Sequence, residues 1–181
     1  QLTDDTTGST ADVLFNRAIP SRAGLDVEFT QYQFSGTAGA ADGIGFFLTD
    51  GAYTLDTPGP TGSDVGGALG YGSIQGRSGD VPGIDQGVLG VGLDSFGNYV
   101  RQPYVGVNCD EVTPANPGSV ALRGGGNGLD GYCLLDQQKL DPSGPQIQTA
   151  PAPVGSADDA LGTRVRIVIA PSTDENPYPW P

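Results

Sequence analysis

The chain contains no histidine. A serine-histidine triad, a histidine-ligated zinc and a histidine general base are therefore all excluded within its 181 residues. Basic residues are also scarce. Eight Lys and Arg stand against 21 Asp and Glu, a formal charge of −13, and such a surface repels phosphate backbones and anionic headgroups. Nucleic acid is not an expected partner. Cysteine is limited to Cys109 and Cys133, too few for a structural zinc site. There is no charged-then-apolar leader and no apolar run long enough to span a bilayer, so membrane insertion is not expected, and export would mean a mature or trimmed chain. Helical periodicity is missing too: the nearest candidate, Ala11 to Ala18, is short and closed by Pro20.

What is abundant is glycine (30) and proline (15), together near the level at which disorder competes with folding. The apolar residues decide for folding. They make up 36% of the chain and fall in compact runs at Gly43 to Leu48, Val88 to Leu93 and Arg164 to Ala170, the pattern of short strands separated by turns. The length suits one domain over 1–181. A single cysteine pair in an acidic, lysine-poor chain fits an exported protein with one disulfide, Cys109 to Cys133, worth about 3 kcal/mol on the chain-entropy model; two buried free thiols are the alternative.

Along the chain, Val13 to Asn16 reads as a short edge strand, and Leu25 to Phe34 alternates with Leu25, Val27 and Phe29 on one face. A small-residue loop, Ser35 to Ala41, leads to a buried strand bounded by Asp42 and Asp50. Asp50-Gly51 is a turn signal, whereas Asp42 is placed to meet a ligand. Further strands are expected at Val88 to Leu93, Ser119 to Arg123, Tyr132 to Leu135 and Arg164 to Ile169, with a glycine loop over Gly124 to Gly131 and a surface loop carrying four prolines over Lys139 to Gly162. So many short strands and turns predict an all-β fold, a sandwich of two antiparallel sheets.

The stretch from Val88 to Tyr99 carries the strongest chemical signal. If the extended geometry continues beyond Leu93, Asp94, Phe96 and Asn98 share one side, so that a carboxylate, an aromatic ring and an amide meet, half of a calcium site. A second reading is a hairpin end in which Asp94 and Asn98 bond their own backbone and Gly97 takes a positive φ.

Four stretches in order resemble the L-type lectin family, most closely its bacterial surface and adhesin members. They are Asn16 to Ser21 with Gly24 to Phe29, Gly39 to Leu48 around Ala41-Asp42-Gly43, Gly66 to Tyr71, and Val91 to Asn98. The resemblance implies a concanavalin A-like jelly roll. It also implies that Asp42 accepts hydrogen bonds from two sugar hydroxyls, that the Gly67 N–H donates to one, and that Phe96 lies on the sugar's apolar face. Asp94, the Phe96 carbonyl and Asn98 would hold calcium (Ca2+), Asn98 also touching sugar, with Asp110 or Glu111 as a further ligand and Asp110 the preferred one. Where legume members carry a Glu for a transition-metal ion this chain has Gly92, so that ion is not expected. The family continues past the strand at Arg164 to Ile169 and begins before Leu2, which makes the chain a fragment or one whose missing strands another chain supplies.

The expected function is a calcium-dependent carbohydrate-binding module of a secreted or cell-surface, adhesin-like protein. The alternative is a structural domain of a filament or adhesin stalk that keeps the fold without binding sugar. A glycoside hydrolase, which needs two carboxylates facing each other across the sugar, finds only one between Gly92 and Phe96, so no enzyme is expected.

Overall fold

The computed structural model describes residues 2–4, 6, 8–34, 41–60, 65–76, 79–110, 113–148 and 162–171. Its strands are β1 (Leu25–Gln31), β2 (Gly43–Thr49), β3 (Gly87–Asp94), β4 (Ser119–Arg123), β5 (Gly126–Asn127), β6 (Asp130–Gly131), β7 (Leu134–Lys139) and β8 (Thr163–Ile169). Two three-residue 3-10 turns, Ser21–Ala23 and Gly66–Ala68, complete the regular structure among the described residues. The chain is all-β, and its strands form two antiparallel sheets.

β1 and β8 form the smaller sheet, in a register set by their alternation. Val27 pairs with Ile167 and Phe29 with Val165, which puts the apolar side chains on one face. On the other, Arg166 forks onto both carboxylate oxygens of Asp26 at 2.9 and 2.6 Å, and Arg164 reaches Glu28 at 3.6 Å. These pairs are exposed and fix register more than they stabilise.

The larger sheet is centred on β3, which pairs with β2 along one side and with β4 and, at Gly87, β5 along the other, β7 lying beyond β4. Its two faces differ in kind. Alternation places Ile44, Phe46 and Leu48 beside Leu89, Val91 and Leu93 on one face, turned toward the smaller sheet, where Phe46 stacks on Phe29 with ring centroids 6.4 Å apart. The opposite face has small residues at its centre: Gly45, Gly92 and Ala121 are neighbours in register, and Gly90, two residues along β3, lies between Phe47 and Arg123. Onto it pack the buried rings of Tyr71, Tyr99 and Tyr132 with Ile84, Val100 and Leu134, all from loops and strand ends. The hydroxyls of Tyr71 and Tyr132 donate to the carbonyls of Gly124 (2.9 Å) and Ile84 (2.7 Å), so each ring is pinned at its polar tip. The main core thus lies between a glycine-rich sheet face and its covering loops.

Several expected boundaries move. Val13 to Asn16 is irregular: Val13 and Phe15 are 79% and 74% exposed, and a turn (Arg17 N–H to Phe15 carbonyl, 2.9 Å) replaces a ladder. The glycine loop folds into a small hairpin, β5 and β6, because Gly126 and Asn127 pair with Gly131 and Asp130. The strand expected at Tyr132 starts at Leu134, since Tyr132 has φ 56° and turns into the core. Ser35 to Ala40 and most of the proline loop lie outside the described residues.

Cys109 and Cys133 are bonded (S–S 2.07 Å, Cα–Cα 5.2 Å), tying the loop after Val107 to the start of β7 across 24 residues of sequence. Replacing both by serine is expected to lower unfolding free energy by about 3 kcal/mol with an unchanged far-UV spectrum, measured by denaturant titration. A loss within error of zero contradicts that role.

Candidate functional site

At the C-terminal end of β3, three separate segments meet. The strand stops at Asp94 and the chain turns, with Gly97 at φ 96°, so Asp94, Phe96 and Asn98 do not continue along one strand face. The Asp42 carbonyl fastens the second segment to this turn: it accepts from the Ser95 N–H (3.0 Å) and hydroxyl (2.8 Å) and from the Phe96 N–H (3.2 Å). The peptide between Ala41 and Asp42 is cis. The third segment is the Gly66–Ala68 turn, which approaches so closely that no side chain fits. A Cβ at Gly66 would lie 1.8 Å from Asp42 Oδ2, and one at Gly67 would lie 2.7 Å from Asn98 Cβ and 2.8 Å from Tyr104 Cζ.

Asp42, Gly67, Phe96 and Asn98 are therefore brought together, though not by the strand periodicity that first grouped three of the site residues. The Asn98 side chain lies close enough to the Asp42 carboxylate to favour its charged form. Asn98 is only 7% exposed, and its Oδ1 accepts from Arg101 Nε at 2.8 Å. Phe96, at 40% exposure, presents its ring to solvent beside them. Half-burial raises the Asp42 pKa above the ordinary aspartate range, with the Asn98 side chain opposing. The end of the sheet therefore carries a partly desolvated acceptor, an amide, a glycine turn and an exposed ring.

Asp94 plays a different part. It is fully buried, Oδ1 accepting from the Gly97 N–H at 2.6 Å and Oδ2 from the Tyr99 N–H at 2.7 Å, so the carboxylate closes its own loop. Burial raises its pKa first, the Gly97 and Tyr99 hydrogen bonds lower it, and the nearby Asp42 charge raises it again. This is the hairpin-end reading of the residue. Tyr99 lies over the glycines of β3: a Cβ at Gly92 would sit 2.3 Å from Tyr99 Cδ1, and one at Gly90 2.5 Å from its hydroxyl oxygen. Arg123, also fully buried, covers the ring with its guanidinium carbon 4.1 Å from the centroid and donates from Nη1 to the Tyr104 carbonyl. Burial pulls the Arg123 pKa down to about 10, with Tyr99 and Asp94 holding it up, so it stays charged at neutral pH.

The calcium ligand set implied by resemblance does not fit this arrangement. Both Asp94 oxygens and Asn98 Oδ1 are engaged by protein donors. Asp110 is exposed next to Cys109, and the disulfide holds that segment at Cys133, beside the Leu134 and Arg123 pair that faces Gly90, four residues along β3 from Asp94. At about 3.3 Å per residue this places it toward the other end of the sheet. Among the described residues no three acidic, cysteine or histidine side chains gather, and Glu111 lies outside the described residues.

The sequence does not single out Tyr99, Arg101, Tyr104 and Arg123 as site residues. A signal for two of them was present. Gly90 and Gly92 alternate on one strand face, which calls for a large group lying on it, and Arg123 ends a strand at an inward position in register with Ser119 and Ala121. Comparison with family models, curated proteins and solved structures returns no match.

An acid whose folded pKa is raised stabilises the fold fully below its unfolded pKa, and that contribution is lost as pH rises through the folded value. Asp42→Asn is therefore expected to melt at a temperature equal to or above wild type at pH 7, with the difference shrinking toward pH 4. The mutant-minus-wild-type difference isolates Asp42 from Asp4, Asp26 and Asp141, whose pKa values are lowered and act in the opposite sense. A mutant that melts well below wild type at pH 7 makes Asp42 a structural residue instead.

Proposed function

We propose that this domain is a carbohydrate-binding module of a secreted or cell-surface protein, with the sugar seated at the end of β3 against Asp42, Gly67, Phe96 and Asn98. The observation that carries the reading is a carboxylate kept half-buried, at a cost to stability, between a glycine turn and an exposed aromatic ring. Ionised acceptors suit vicinal hydroxyls, and a ring suits the C–H face of a pyranose, so the two sides of a sugar are recognised by different chemistry. Gly67 is buried in the first turn of its 3-10 segment, where N–H groups lack partners within the turn, and its part in the site would be made through the backbone. Asn98 both orients Asp42 and borders the ring, which fits it to a positioning and binding role. The disulfide supports export.

No step of this reading passes through calcium. Nor does the site favour hydrolysis, since the second nearby carboxylate, Asp94, is buried and occupied by two N–H groups. A structural domain of a surface assembly is the second reading. It is favoured by the apolar face of β2, whose residues are only half-buried and would gain from further strands or a partner chain.

A glycan panel probed with wild type, Asp42→Asn and Phe96→Ala decides between them. A charged acceptor contributes about 1.5 to 3 kcal/mol, so Asp42→Asn is expected to weaken the best glycan by about tenfold or more, and Phe96→Ala to weaken it as well. Absence of binding by wild type across the panel, or binding that both substitutions leave intact, favours the structural domain.

A further inference from the structure

We propose that Arg123 and Arg101 take the place of a metal ion in the loop that follows β3, so that ligand binding at the Asp42 end is independent of calcium. A calcium ion in such a loop has two tasks: it gathers oxygen ligands from distant residues and it balances the carboxylate charge. Here the gathering is performed by the chain itself. Gathering is done by Asp94, whose two oxygens accept from Gly97 and Tyr99 and so fix the turn in which Phe96 and Asn98 lie. Arg101 Nε occupies Asn98 Oδ1, the oxygen a cation would require, and so turns the amide nitrogen the other way.

Arg123 orders the rest of the site. It is the buried guanidinium of the same sheet face, stacked on the ring of Tyr99, whose own N–H is bound to Asp94. The space over Gly92 is filled by the same ring, so a coordinating side chain could not be introduced there without displacing it. Arg123 Nη1 also fixes the Tyr104 carbonyl, and Tyr104 packs against Gly67, so one cation orders two of the three segments of the site. Two buried groups that hold one ring are coupled through it, so their losses do not add.

The inference rests on the carbohydrate reading only for its consequence for binding; its test uses no sugar. Wild type titrated with calcium chloride by calorimetry is expected to give no saturable heat, and its melting temperature to be the same in calcium and in chelator. Saturable uptake, or a melting temperature that climbs with calcium as mass action requires, overturns the proposal. A double-mutant cycle then addresses Arg123 directly. Asp94→Asn is expected to lower the unfolding midpoint less in an Arg123→Met background than in wild type, because Tyr99, which both residues hold, is already released there. Strict additivity of the two losses overturns the assignment of Arg123. If Arg123→Met does not fold, the calcium titration of wild type still decides for or against the metal-independent loop.

Discussion

The end of this domain depends on one packing constraint: the inner face of β3 has no side chains at Gly90 and Gly92, so a tyrosine ring can lie on the strand itself. Tyr99 occupies that place. Its backbone N–H is within reach of Asp94, and its ring is the floor for the Arg123 guanidinium. A fully buried arginine is costly unless paired. Here the aromatic face and the Tyr104 carbonyl share the task, while Nε and Nη2 of Arg123 and the Tyr99 hydroxyl have no hydrogen-bond partner among the described residues.

From this follows the geometry of the outer site. Because Asp94 closes the turn from within, Phe96 projects outward and Asn98 is held under Asp42. Because Tyr104 is fixed by Arg123, the Gly66–Ala68 turn has a wall to pack against, and its missing side chains admit the Asp42 carboxylate. The polar groups meant for a ligand are thus positioned by a buried layer that the ligand never touches, the usual way a rigid site is supported.

The sequence made some of this legible and hid the rest for identifiable reasons. The alternation in Leu25 to Gln31 and in Thr163 to Ile169 is strong, and those strands pair as their patterns require. Ser119 to Arg123 is found at its expected bounds, and the lone cysteine pair is bonded. Val13 to Asn16 has strand-like composition, but no described strand borders it, and propensity without a neighbour does not make a ladder. Asp94 was grouped with Phe96 and Asn98 by extending a period of two past the point where Gly97 turns the chain, so its inward role was the less visible one. Asp110 was placed by motif order, which cannot register that the disulfide anchors its loop near the Gly90 level of the sheet. Asp42, Gly67 and Asn98 come together through three loops, a contact no local pattern encodes.

The central claim is that sugar is bound where Asp42, the Gly66–Ala68 turn and the Phe96 loop converge. Amide chemical-shift mapping during titration with a bound glycan tests it most directly, because each segment reports separately. The account predicts perturbations concentrated at Gly66, Gly67 and Phe96 to Asn98, with the amides of β7 and β8 unmoved. Perturbations clustered on β8 or β7 with those residues silent would contradict it.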